Sequence, residues 1–534
     1  VTALCLKLAR SWSCATLIAI VAGCAGLPPG ADYPRQASSA LAHPERTPLG
    51  AHYAAAATEH AEASGFHILN DGVDGFLTRV QLIDAAEQTL DLQYFIFRGD
   101  ETGRLITAAL LRAADRGVHI RILVDDGDTV PGDQQILALD GHPGVEVRVF
   151  NPFRYRGHAL LPRSVEFLFN IRRLDYRMHN KMLVADNAAA LIGGRNIGNQ
   201  YFQMDPQSQF ADDDLFSVGP IVTQLSATFD EFWNSTLSIP AAALVAGHHA
   251  AALRQSPEAP RGGDPLQRLD SPGIDYAAMV ASDEPVASLI SGRTPLVWAT
   301  ARVIADSPEK KAVLNGTRRG RLMALSVEQA ASEVQGELLM ITPYFIPSPD
   351  EIALLDTLLR RNVRVALLTN SLSSAPDLVA QAGYAHYRVP MLEDGADLYE
   401  VRARIGRRRG SGQTTRISSF GNFGLHAKVF TFDRQRLFLG SMNFDRRSRR
   451  LNTEIGVIID SPALAQQMVT RFEDLTRPEN VYEVSLRGSG LGPGMVWGTV
   501  ENGHPVEYTD EPARSHWQRL KMKFLEWIPL GDEL

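Results

Sequence analysis

Two octads of one pattern, HNKMLVAD from His179 to Asp186 and HAKVFTFD from His426 to Asp433, stand in opposite halves of the chain. Each is followed at the same offset by a glycine-led turn ending in asparagine, GGRN from Gly193 and GSMN from Gly440. The elements upstream repeat in the same order. In the first half a helix near Gly75 to Thr89 precedes the strand LDLQYFIF, and a helix near Thr102 to Arg116 precedes the strand VHIRILVDD. In the second half, helices near Ser326 to Gln335 and Pro349 to Arg361 precede ELLMITPYFIP and VRVALLTNS, with YFIF at Tyr94 and YFIP at Tyr344 in equivalent places. A domain-sized α/β unit present in two copies predicts two duplicated lobes forming one pseudo-symmetric body.

The 534 residues, 45 % of them hydrophobic, suffice for a core of that size. A formal charge of −8 argues against a general nucleic-acid-binding surface. Two basic runs, RARIGRRRG from Arg402 to Gly410 and RRSRR from Arg446 to Arg450, read either as solvated loops or as guides for anionic head groups. All three cysteines, Cys5, Cys14 and Cys24, fall in the first stretch, so the body has neither a disulfide framework nor a thiol metal site. No cofactor and no metal ligand is assigned. LVDDGD at Leu123 has no matching partner for a metal-dependent phosphatase, and DDD at Asp212 reads as a strand edge rather than a cation site.

The expected organisation follows from composition. Lys7 and Arg10, the apolar CATLIAIVAG and Cys24 have the layout of an export signal over residues 1–23, too short to span a bilayer. The proline-rich, small and polar residues 24–65 suit a flexible tether. Residues 66–240 and 312–485 are the two lobes, and 241–311, rich in Ala, Pro, Gly and Asp, form a linker between them. In the extension 486–534, Trp517, Leu520, Phe524 and Trp527 recur at near-helical spacing beside Arg519, Lys521 and Lys523. That pattern suits either a membrane interface or packing on the neighbouring lobe.

The doubled octads with their turns resemble the phospholipase D superfamily. LDLQYFIF, FADDDLFSVGP, TNSLSS and AGYAHYR are further similar to the bacterial cardiolipin synthases, especially the C-type branch. The resemblance implies that both lobes share one active site, with His179, Lys181, Asp186, His426, Lys428 and Asp433 as its catalytic set. Period-two alternation along an octad strand aims each histidine and lysine to one face, but carries Asp186 and Asp433 far from the imidazoles. Those aspartates are expected to be structural, holding the turn before the next strand.

The chemistry needs two imidazoles. One attacks a phosphodiester phosphorus to give a phosphohistidine, the other protonates the leaving alkoxide, and the roles then reverse for the acceptor hydroxyl. By resemblance His179 is the nucleophile and His426 the general acid and base, with the reverse assignment also open. Lys181, Lys428 and the amides of Asn196 and Asn443 would stabilise the phosphate oxygens. By position in the family pattern Asp212 partners His179 and Glu454 partners His426.

The resemblance implies a phosphatidyltransferase making cardiolipin, with phosphatidylglycerol as acceptor and phosphatidylglycerol or phosphatidylethanolamine as donor. A phospholipase D using water, a nucleic-acid phosphodiesterase and a non-catalytic membrane-tethered lipid-binding scaffold are the other readings. Protein partners are not indicated. VAGC from Val21 resembles a bacterial lipobox, which implies a lipoprotein anchored through Cys24 outside the cytoplasm, on either the inner or the outer membrane.

Overall fold

The computed structural model describes residues 28–60, 62–127, 139–156, 159–205, 207–244, 284–404, 422–489 and 492–526. The export signal, Cys24 and Trp527 lie outside them. The first half supplies β1 (Ser64–Leu69), β2 (Thr89–Tyr94), β3 (His119–Asp125), β4 (Val145–Phe150), β5 (Met182–Ala185), β6 (Ala189–Gly193), β7 (Ser208–Ala211), β8 (Asp214–Val218) and β9 (Ser238–Pro240). The second supplies β10 (Val297–Ala305), β11 (Glu337–Ile341), β12 (Phe345–Ile346), β13 (Arg364–Asn370), β14 (Asp397–Val401), β15 (Asn422–Leu425), β16 (Val429–Phe432), β17 (Arg436–Gly440), β18 (Phe444–Asp445) and β19 (Ile455–Asp460). A terminal meander adds β20 (Val481–Ser489), β21 (Gly492–Glu501) and β22 (His504–Tyr508).

Strand order is the same in both lobes. β4, β3 and β2 run parallel and are followed antiparallel by β5, β6, β8 and β1. In the second lobe β14, β13 and β11 run parallel, followed antiparallel by β16, β17, β19 and β10. β1 and β10 pair antiparallel at the centre, which fuses the lobes into one 18-stranded sheet. The central strands are buried on both faces: LDLQY of β2, with Asp91 and Gln93, and all of the apolar β6 are buried.

This topology corrects two segment boundaries. β10 lies inside the expected linker 241–311, yet it is the second lobe's copy of β1, and the Glu284–Ile290 helix beside it buries Val286 and Leu289 in the first lobe's core. A mixture of exposed, half-buried and buried positions, rather than an apolar run, hid this strand. The expected tether 24–65 is also ordered from residue 28: Ala40 N donates to Asp230 Oδ2 (2.8 Å), and the Pro48–Glu59 helix buries Tyr53, whose hydroxyl donates to Leu289 O (2.9 Å).

A third correction concerns register. Asp186 N donates to Thr89 O (2.8 Å) and Asp433 N to Glu337 O (2.8 Å), while Phe97 bridges Ile197 as Phe345 pairs with Phe444. Tyr94 therefore matches Thr342 and Phe97 matches Phe345, so YFIF and YFIP are two residues out of step despite their likeness.

The octad aspartates are turn residues. Asp186 and Asp433 take left-handed φ of 52° and 53°, which Asp tolerates better than most side chains. Asp186 accepts from Glu87 N (2.9 Å), Gln88 N (2.8 Å) and Thr89 N (2.8 Å), and Asp433 from Gln335 N (2.9 Å), Gly336 N (2.7 Å) and Glu337 N (2.9 Å). The turn they hold thus precedes the central strand β2 or β11, not the next strand in sequence, and neither belongs with the catalytic groups. Asp186→Asn or Asp433→Asn puts an N–H against a backbone donor and should cost about 1–3 kcal/mol of stability in urea denaturation, with turnover of the folded fraction preserved. Burial raises the Asp433 carboxyl but the three N–H donors outweigh it and hold its pKa down. Its contribution is therefore present above the ordinary carboxylate range and fades as pH falls through the lowered value.

Candidate active site

His179 and Lys181 stand just before β5, and His426 and Lys428 between β15 and β16, rather than on the strands expected for them. Each histidine is held from its own lobe and aimed by the other. In its own lobe, Met178 N donates to Asp125 Oδ2 (2.8 Å) at the end of β3, as Leu425 N donates to Asn370 Oδ1 (2.8 Å) at the end of β13. Across the lobes, His179 N donates to Thr453 O (2.9 Å) and Thr453 N to Arg177 O (2.9 Å). His426 N donates to Ala211 O (2.8 Å), continuing the parallel pairing of β15 with β7.

Each imidazole therefore lies beside the residue that follows in the opposite lobe. His179 Nδ1 meets Glu454 Oε2 at 2.9 Å and Oε1 at 3.0 Å, and His426 Nδ1 meets Asp212 Oδ2 at 2.6 Å. The carboxylates expected within each lobe are in fact exchanged between lobes: Glu454 orients His179 and Asp212 orients His426. The cause is the cross-lobe backbone pairing just described, which brings residue 453 to His179 and residue 211 to His426.

The turns after the octads accommodate these carboxylates differently. A Cβ on Gly194 would fall 2.0 Å from Asp212 Oδ1, and one on Gly193 2.6 Å from Asp213 O, so both positions require glycine. Ser441 stands in Gly194's place in the second lobe, where its hydroxyl donates to Glu454 Oε2 (2.5 Å). The backbone of Glu454 is fixed by Asp306, which accepts Glu454 N (2.9 Å) and pairs with the buried Lys310 (2.8 Å).

The lysines lie against their own histidines. Lys181 Nζ donates to His179 O (2.6 Å) below the Phe95 ring. Lys428 Nζ is 2.9 Å from His426 Nδ1 and 3.3 Å from Nε2, and donates to His426 O. Phe95 stands edge-on to His179, whereas Tyr201 and Phe210 flank His426. The two asparagines differ. Asn196 is committed, accepting from Ile96 N (3.0 Å) and donating to Tyr201 Oη (3.0 Å), which removes it from the expected phosphate ligands. Asn443 Oδ1, by contrast, is buried without a hydrogen-bond partner.

Both imidazoles are only 7–8 % exposed. Burial, then Lys181 and Lys428, push the His179 pKa well below its usual value; burial and Lys428 lower that of His426 to about 3. Each ring thus lies within electrostatic reach of the lysine of the other lobe. Burial lowers Lys428 to about 8 and Lys181 well below its normal range. The carboxylates diverge. Burial pushes Glu454 up to about 7, whereas at Asp212 the opposing influence of His426 and Lys428 overcomes burial and holds it well below the usual range. Two neutral imidazoles, each beside a buried lysine and a buried carboxylate, are suited one to attack and the other to pass a proton.

The basic runs are mostly spoken for. Arg402 donates to Glu501 (2.6 Å) of the terminal meander, and residues 405–410 lie outside the described segments. Arg446–Arg450 form a helix in which Arg447 pairs with Asp175 (2.6 Å) across the lobes and Arg449 with Asp350 (3.3 Å). In DDD, Asp213 pairs with Arg471 (3.3 Å) and Asp214 with Arg79 (2.8 Å) and Arg195 (3.1 Å). Among the described residues no group of three or more His, Cys, Asp or Glu is arranged to hold a metal ion.

Asp125, Asn370, Phe95, Asp306 and Lys310 escaped the sequence reading. The first two were findable, since both end equivalent strands, LVD and LTN, in the repeat. The Asp306–Lys310 pair sits in the segment read as linker and carries no pattern of its own.

Two lobes on a pseudo-dyad, each contributing a buried His-x-Lys pair whose imidazole meets a carboxylate of the other lobe, define the phospholipase D-like class. The family model described as cardiolipin synthase, phospholipase D-like domain, matches residues 80–233 and 327–476. The chain belongs to this cardiolipin synthase family of phospholipase D-like phosphatidyltransferases. It is 33 % identical over 483 residues to cardiolipin synthase C of Escherichia coli (strain K12), covering 89 % of this chain and 97 % of that protein. It is 25 % identical over 415 residues to the major cardiolipin synthase ClsA of Bacillus subtilis (strain 168), covering 77 % and 69 %. Among solved structures, a phosphatidylserine synthase from Haemophilus influenzae Rd KW20 shares the fold with a TM-score of 0.51 at 14 % identity, covering 81 % of this chain and 91 % of that one.

Proposed function

We propose that the protein makes cardiolipin by moving a phosphatidyl group through a phosphohistidine to the glycerol hydroxyl of phosphatidylglycerol. The observation that carries this reading is the pair of imidazoles, each tied at Nδ1 to a carboxylate of the other lobe, which makes Nε2 the nitrogen for chemistry, with Lys428 Nζ 3.3 Å from that of His426. His179 Nε2 forms the bond to phosphorus as the bond to the donor's alcohol breaks, and His426 supplies the proton that this alkoxide takes. The acceptor hydroxyl then gives its proton back to His426 as its oxygen displaces His179. Lys181, Lys428 and the Asn443 amide stabilise the non-bridging oxygens. A bound diester offsets the lysine charges that depress the imidazoles, which raises the proton affinity of His426 for its acid role.

Near-complete burial of both rings supports transfer to a lipid alcohol over hydrolysis, because a closed site excludes water. With vesicles of phosphatidylglycerol, alone or with phosphatidylethanolamine, the purified protein is expected to yield cardiolipin together with glycerol or ethanolamine, identified by mass spectrometry. Phosphatidic acid without cardiolipin would make it a hydrolase, and undiminished product from His179→Ala would reject the mechanism. Release of ethanolamine in step with cardiolipin identifies phosphatidylethanolamine as donor.

A further inference from the structure

Large apolar side chains stand exposed mainly on two helices. On Leu160–Phe169, Leu160, Leu161, Leu168 and Phe169 are 64–80 % exposed; on His516–Glu526, Trp517, Leu520 and Phe524 are 57–71 % exposed. The second helix is seated by Met522, which packs with Leu372 and Ala382, so its aromatic face is what remains outside. Contiguous apolar surface of this kind marks a docking face.

The two helices are fastened at pseudo-equivalent places. Arg163 of the first donates to Asp126 O, one residue beyond the Asp125 that ends β3 and holds the peptide before His179. Gln518 of the second donates to Leu372 O (2.7 Å), and Arg514 just before it to Ser373 O, close beyond the Asn370 that ends β13 and holds the peptide before His426. Both apolar helices thus attach at the carboxyl ends of the parallel strands, one beyond the strand end that holds the peptide before His179 and the other beyond the one that holds the peptide before His426. Exposed Arg154 and Arg172 neighbour the first, and exposed Lys521 and Lys523 lie on the second.

We propose that these two helices form one docking face for an anionic lipid bilayer and set the histidine-bearing strand ends of the two lobes toward the lipid surface. The occupant follows from the pattern: protruding Leu, Phe and Trp to enter the acyl boundary, with cations beside them for anionic head groups. Among the described residues no helix is long and apolar enough to cross a membrane, which leaves these helices to lie on it. The inference rests on the phospholipid substrate proposed above, and it explains how a closed site receives insoluble substrates.

Peptide-resolved hydrogen exchange on the full chain tests it independently of any anchor near the N-terminus. With phosphatidylcholine vesicles containing phosphatidylglycerol, exchange over residues 160–171 and 516–526 should slow by about tenfold or more. Much less slowing is expected with phosphatidylcholine alone. Leu161→Glu with Leu168→Glu should abolish the effect at the first helix, and Leu520→Glu with Phe524→Glu at the second. Transfer between short-chain monomeric phospholipids should be unchanged in both. Unaltered exchange at both helices on vesicles that sediment the protein would overturn the proposal. So would slowing that appears at high protein concentration without vesicles, which would assign the face to a second copy. Protection without cardiolipin formation would leave the docking face standing and remove the proposed reaction; cardiolipin formation without protection would do the reverse.

Discussion

Replacing His179 by alanine is expected to abolish phosphatidyl transfer, with kcat lowered by about four orders of magnitude or more, and His426→Ala to be as damaging. The losses differ in kind. With His179 as the proposed nucleophile, its removal eliminates the covalent intermediate, whereas removal of His426 leaves a nucleophile facing an alkoxide with no proton donor. A donor labelled at phosphorus and quenched in alkali should leave acid-labile label on the peptide containing His179. Label on the His426 peptide would reverse the two roles, and transfer without any protein-bound label would exclude the phosphohistidine. Because neighbouring groups act as a unit, the double variant should be little worse than either single one.

The second large effect lies in the crossed carboxylates. Asp212→Asn removes the ionised partner of His426 Nδ1 and should lower kcat by about two to four orders of magnitude. Glu454→Gln acts on His179, and its consequence depends on pH because burial lifts the Glu454 carboxyl to about 7. Below that value Glu454 is protonated and the charge that orients the His179 ring is lost, so activity rises with pH through about 7. Above about 8 Lys428 loses its proton and activity falls. A narrow bell results. Glu454→Gln should flatten the acid limb, and an unchanged limb in that variant would show that another group titrates there. Stability runs opposite to activity at Glu454. Its folded pKa lies above the unfolded value, so its contribution is complete below the usual carboxylate range and is lost as pH rises through about 7.

Much of this architecture was legible in the residues. The octads, their turns and the repeated strand–helix order specify duplicated lobes because the same local chemistry must form the same elements twice. The crossing of Asp212 and Glu454 was not legible, because a repeat says which residues correspond but not which lobe each side chain faces. Asn196 and Asn443 show the same limit: identical letters at matched positions, one consumed by Ile96 and Tyr201, the other unpartnered at Oδ1. Composition misled where packing decides. The alanine- and proline-rich stretch before residue 66 is held by a few side chains such as Tyr53, and the segment read as linker contains β10, whose role comes from its pairing with β1 and β19. The likeness of YFIF to YFIP was a coincidence that only hydrogen-bond register exposes.

Glu454 is the last of the site residues in the chain, more than half the sequence beyond His179. During synthesis the first lobe can form β2, β5 and β6 and present His179 long before its carboxylate has been made. Until the second lobe docks along residues 177–179, that imidazole lacks its orienting charge, and Asp212 waits for a histidine still to come. Each imidazole therefore gains its carboxylate only when both halves are complete and joined.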